Sequence, residues 1–299
     1  MKYQIPKTIK DKKIKRETSI NFWKSFLIPG GLFLLMSLLS IISAFQLNKL
    51  VILKQFYLPS TSWQDFLLCF LIIVFLISVL FFYKKSGKLK ELICKGLFIV
   101  PIFWGGMIVL NLFLPVFVSL FIVGGLIAIW LESPTVLVHN TLILLGLAGV
   151  SCFLGLTFNH SIIIALLLFF SVYNFIAILK IKNIDLIIKE MLGAKAILGF
   201  IVPKELDNFK GKLKQIKPGV NSVIINGGDI VLPILLTVSM IPFGNIKVLI
   251  VLLFSLIGYF FSYWLSVNQE KYMDNPETGF VLPPIALFVI IGYFITLFL

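Results

Sequence analysis

The chain alternates long apolar runs with short polar or basic connections. Runs of spanning length, about 17 to 25 residues, cover 22–45, 66–83, 92–112, 115–131, 135–156, 161–179, 220–240, 246–266 and 280–299. The pattern predicts an all-α membrane protein with nine transmembrane helices. The connections at 111–115 and 132–134 are so short that the helices they join should be antiparallel neighbours. The longest connection, 181–219, divides the chain into a basic tail (1–20), six helices (21–180), this loop, and three more helices (220–299). Within the loop, residues 184–192 carry apolar side chains at helical spacing and predict a short amphipathic helix on the inner membrane surface. Residues 203–218 are Lys-rich and read as mobile. Val223, Ile224 and Ile225 form a β-branched run at the start of the seventh span. That run suits a strand able to pair with an extended peptide, and it equally suits the plain start of a helix.

Composition agrees with this reading. Of 299 residues, 59% are hydrophobic and 14% aromatic, more apolar surface than a soluble domain needs. The formal net charge is +13. Its lysines sit between the apolar runs and not in an aromatic-interleaved groove, which argues against a nucleic-acid partner and for an orientation signal. With the N-terminus inside, the inner connections hold 22 Lys and Arg and the outer ones only Lys49, Lys54 and Lys247. The expected topology is therefore N-terminus inside and C-terminus outside, multi-pass in the cell membrane. The basic tail lacks a small-residue cleavage site, so the first run reads as a retained helix. Cys69, Cys94 and Cys152 are scattered without a CxxC pair and read as free thiols. His139 and His160 are too isolated to suggest a metal site, and no cofactor is expected.

One residue breaks the pattern. Of thirteen Asp and Glu, only Asp229 lies deep inside an apolar run. A carboxylate there costs about 2.5 to 3.5 kcal/mol on insertion scales, so it reads as a working group. Gly227 and Gly228 precede it and permit close backbone approach. Pro233, four residues on, cannot donate to the Asp229 carbonyl and favours a kink. The polar side chain best placed to meet Asp229 is Asn174, near the inner end of the sixth run. A packing role for either residue, the amide bonded between helices and the acid kept neutral, is the plain alternative.

Together these stretches resemble a family. Tyr173-Asn174-Phe175 is similar to the Tyr-Asp motif of presenilins and signal peptide peptidases. Gly228-Asp229 resembles the end of their Gly-x-Gly-Asp motif, and Phe280-Val281-Leu282-Pro283-Pro284 opens the ninth span where they carry Pro-Ala-Leu followed by Pro. The likeness is strongest to the small archaeal homologues. It implies a presenilin-like bundle and an intramembrane aspartyl protease acting on transmembrane helical peptides in the lipid bilayer. By the same resemblance, Asp229 is one catalytic group and Asn174 occupies the place of the other. Tyr173, Gly227, Gly228, Val281, Leu282 and Pro283 shape the substrate site. The chain departs from the pattern at Asn226, which replaces the first Gly, at Phe280-Val281, which replace Pro-Ala, and at Asn174. An amide matches a carboxyl in shape but cannot shuttle a proton, so this form is expected to be inert, whether by design or by natural loss. The competing class is a transporter or channel with Asp229 as a midplane polar site. Against it, no inverted repeat is visible and only one charge is buried. A prenyl-transferring membrane enzyme would need Asp-rich motifs, for which Asp185 and Asp207 are too sparse.

Overall fold

The computed structural model describes residues 7–71, 87–180, 196–203, 206–216, 222–269 and 282–299. Helix α1 spans Lys7–Ile52, and α2 begins at residue 63 and is described through 71. Next come α3 (Gly87–Asn111), α4 (Val116–Glu132), α5 (Val136–Thr157) and α6 (His160–Lys180). Strands β1 (Gly199–Pro203) and β2 (Ser222–Asn226) precede α7 (Gly227–Ser239), α8 (Asn245–Gln269) and α9 (Leu282–Thr296). Most of the expected spans are therefore helices. Among the described residues, four are long and apolar enough to cross a bilayer, within α1, α3, α5 and α8. The helices at Val116–Glu132, His160–Ile176, Gly227–Phe243 and Leu282–Thr296 are apolar but shorter. Most of the expected 66–83 span and the whole of the amphipathic segment 184–192 lie outside the described residues.

The seventh span departs from a simple helix. Residues 222–226 are a strand, and helix starts only at Gly227. At about 1.5 Å per residue the thirteen residues of α7 reach only about 20 Å, short of a roughly 30 Å hydrocarbon core. Non-helical backbone at such depth is tolerated where protein surrounds it. Here the strand is partly enclosed: Ser222 and Ile225 are buried while Val223 and Asn226 are exposed, and its partner β1 is buried along its whole length. The chain is thus not purely α. The β-branched 223–225 run settles into a strand because β1 offers it a partner, with register Phe200↔Ile225, Ile201↔Ile224 and Val202↔Val223. Gly199 is needed there, since a Cβ would collide with the Ile225 carbonyl oxygen. Helix α7 runs on through Pro233, whose carbonyl accepts from Thr237 Oγ1 at 3.0 Å.

Helix α7 is the hub. It contacts α1, α5, α6, α8, α9 and both strands, and eleven of its thirteen residues are buried. Its enclosure explains why an apolar helix with no polar face is stable at this length. Around it, α3 and α5 cross at glycines. A Cβ on Gly105 or Gly149 would overlap the backbone of the facing helix, so only glycine permits this approach. Outward faces stay apolar and exposed, as at Leu27, Phe117, Phe121 and Ile246, in keeping with contact to lipid.

Loop contacts sort the helix ends into two layers. In one, Val136 N–H donates to Gly211 O at 3.1 Å and Leu213 N–H to Pro134 O at 2.9 Å. The 206–216 segment, expected to be mobile, is therefore docked on the α4–α5 turn, because that turn leaves backbone groups free to pair. In the other, Thr61 N–H donates to Thr157 O at 3.2 Å, and His160 Nε2 lies 3.0 Å from Ser239 O.

Candidate active site

Asp229 sits in the first turn of α7, three residues past the N-cap Asn226. The positive end of the helix macrodipole favours a negative charge there. Its side chain is 5% exposed. Across the helix interface, Asn174 of α6 donates from Nδ2 to Asp229 Oδ1 at 3.2 Å. A carboxylate only accepts, which fixes the amide with nitrogen towards Asp229. The two polar groups come from positions 55 residues apart, and they meet because α6 and α7 pack directly.

The two glycines before Asp229 differ in their surroundings. Gly227 donates its N–H to Leu198 O at 2.8 Å. A Cβ there would meet Leu198 O at 2.7 Å and Leu147 Cδ1 at 2.8 Å, so its missing side chain is filled by the protein itself. At Gly228 the nearest atom to such a Cβ is Asn226 Nδ2 at 3.7 Å, which leaves open space beside the acid. Tyr173 is half-exposed next to Asn174. Leu282 is buried at the start of α9, Pro283 is half-buried, and Val281 lies outside the described residues. Helix α9 packs on both α6 and α7, the two helices that carry the polar pair.

Sheet geometry supplies a second element of the site. An antiparallel ladder alternates residues that bond across with residues whose N–H and C=O point away. Ile201 spends both backbone groups on the Asn140 side chain of α5, at 2.9 and 2.7 Å. Its partner Ile224 must then turn its own groups to the opposite edge, as must Asn226 two residues on. In the two-stranded sheet this edge of β2 is the unpaired one among the described residues, and it leads into Asp229. Asn140 and His139, which hold β1, did not stand out in the sequence as site residues. Two adjacent polar side chains early in an apolar run were the available signal. Their partners are backbone atoms sixty positions away, which no local pattern reveals.

A helical bundle with an acid and an amide meeting beside an open strand edge defines the class: a polytopic membrane protein with a paired side-chain site inside its helices. Its family follows from direct comparison. The family described as signal-peptide peptidase, presenilin aspartyl protease matches residues 30–299, so the chain belongs to this family of intramembrane proteases. Two solved structures of a presenilin family intramembrane aspartate protease, in C222 and P2 crystal forms, share the fold. The first is 16% identical with a TM-score of 0.56, over 91% of this chain and 97% of that one. The second is 18% identical with a TM-score of 0.56, over 89% and 94%. No curated protein matches the chain.

Proposed function

We propose that Asp229 and residue 174 flank the water that attacks a substrate peptide bond, and that the chain, carrying Asn174, holds membrane helices without cutting them. The observation behind this is the 3.2 Å contact between Asn174 Nδ2 and Asp229 Oδ1. With aspartate at both positions, two carboxyls at this separation cannot both ionise and share one proton. The ionised one takes a proton from water and later passes it to the leaving amine, while the protonated one donates to the peptide carbonyl and recovers its proton as the C–N bond breaks. With Asn174 the pair keeps its hydrogen bond and loses the shuttle.

A transmembrane helix shields its peptide bonds, so the substrate must be opened first. The free edge of β2, with Ile224 and Asn226 turned outward, suits pairing with an unwound segment. Open space at Gly228 leaves room for that backbone beside Asp229. Leu282 and Pro283 close the site from α9, Tyr173 flanks it from α6, and Val281 is assigned to it by the resemblance alone. Gly227 contributes through packing. The chain lies in the cell membrane with nine spans, N-terminus inside and C-terminus outside, and its inner parts are the 1–20 tail and the 181–219 loop. The charge count supports this, as do the two layers of loop contacts. Preferred substrates would present their N-terminus outside. A transporter reading has a single buried acid among the described residues to work with, no repeat, and a family of proteases against it.

The test is a gain of function. Asn174→Asp, reconstituted with a helical membrane substrate, should cleave where the unaltered chain does not. A folded Asn174→Asp chain that leaves every such substrate intact would overturn the mechanism.

A further inference from the structure

Helix α5 carries two polar side chains that the acid–amide pair does not use. Asn140 is buried, and its amide donates to Ile201 O and accepts from Ile201 N–H. One side chain thus satisfies both backbone groups of one residue, as a neighbouring strand would. His139, fully buried beside it, places Nε2 3.1 Å from Gly199 O. A carbonyl only accepts, so the ring proton sits on Nε2 and the lone pair on Nδ1. The imidazole lies flat against Phe98 of α3 at 5.3 Å and 13°. Phe98 in turn stacks on Trp130 of α4 at 4.5 Å and 18°. Three helices thus fix the ring that holds Gly199.

We propose that His139 and Asn140 are positioning residues that clamp β1 in one register, and through the ladder set where β2 presents a substrate strand to Asp229. The second half rests on the reading that β2 receives the substrate. The physical argument is about parity. Asn140 claims Ile201, so residues 199, 201 and 203 turn outward on β1, while 222, 224 and 226 turn to the free edge of β2. A one-residue slip would reverse which residues face which way, and a two-residue slip would move backbone by about 6.6 Å. Either would carry a paired peptide bond away from the acid. The clamp also closes the outer edge of β1, so only the β2 edge can accept another strand.

Cross-linking reads the register directly, without catalysis. In the full chain with its three cysteines replaced by serine, Ile201→Cys and Ile224→Cys face each other at a position suited to a disulfide. Adding Asn140→Leu should lower that cross-link about tenfold, the effect of losing two hydrogen bonds. The offset pair Ile201→Cys with Asn226→Cys should gain. Thr141→Ala, one residue on and bonded to Leu137 O of its own helix, should change nothing. His139→Phe keeps the ring stack and should give a smaller loss, which covers the case in which Asn140→Leu fails to fold. Unchanged 201–224 cross-linking in both variants overturns the proposal. In an Asn174→Asp chain, Asn140→Leu should spread cleavage over neighbouring bonds. Asn140→Asp, which in its protonated form keeps one donor and one acceptor, should regain the single cut as pH falls. A single unshifted cut with Asn140→Leu also counts against the clamp. Absence of cleavage from Asn174→Asp itself would instead count against the protease reading, and the cross-links would still decide the register.

Discussion

At the scale of the residue, the proposed chemistry turns on one atom of Asn174. Replacing a carboxyl oxygen by Nδ2 preserves shape and the contact to Asp229 while removing an exchangeable acid. Restoring that oxygen has a consequence beyond bare activity. In the Asn174→Asp chain, cleavage rate should follow a bell in pH, falling in acid as both carboxyls protonate and in alkali as both ionise. A rate that rises monotonically with pH would mean one acid works alone. Asp229 was legible in the sequence because a carboxylate within an apolar run is costly enough to stand out. Asn174 was legible as the polar side chain near the inner end of the sixth run, in a stretch similar to a family motif. His139 and Asn140 were not, since a polar residue in a span announces that it needs a partner and not which one. Gly227 and Gly228 looked equivalent on paper. Only the approach of Leu198 and Leu147 separates them.

At the scale of the element, the decisive feature is the junction where β2 becomes α7. The β-branched 223–225 run allowed a strand or a helix, and propensity alone could not choose between them. β1 chooses, by supplying a buried ladder that ends in the Gly227 to Leu198 hydrogen bond. The 206–216 segment illustrates the opposite limit: lysine-rich composition suggested mobility, while its backbone bonds to 134–136 depend on geometry that composition does not encode. The junction yields a contrast between neighbours. Gly227→Ala drives a Cβ into the Leu198 carbonyl and should cost about 1–3 kcal/mol of stability. Gly228→Ala, with 3.7 Å of clearance, should be neutral or gain a few tenths of a kcal/mol from helix propensity. Thermal unfolding of the two variants in the same detergent measures this, and equal losses would mean the junction is not packed as described.

At the scale of the whole molecule, the bundle brings together two helices separated by a long loop. Hydrophobic patterning located most of the described helices, because spanning length is set by the bilayer. It could not give their arrangement, which depends on close crossings such as Gly105 against Gly146 and Gly149. That arrangement encloses α7 and seats Asp229 against α6. The central claim is that positions 174 and 229 act jointly on one bound group. A hydroxyl-bearing transition-state mimic tests it when its affinity is measured for four chains: unaltered, Asn174→Asp, Asp229→Asn, and both changes together. Joint action predicts that Asn174→Asp tightens binding by about 100-fold or more while Asp229 is present, and that most of the gain disappears with Asp229→Asn. Equal gains with and without Asp229 would show that the two side chains work independently and contradict the account.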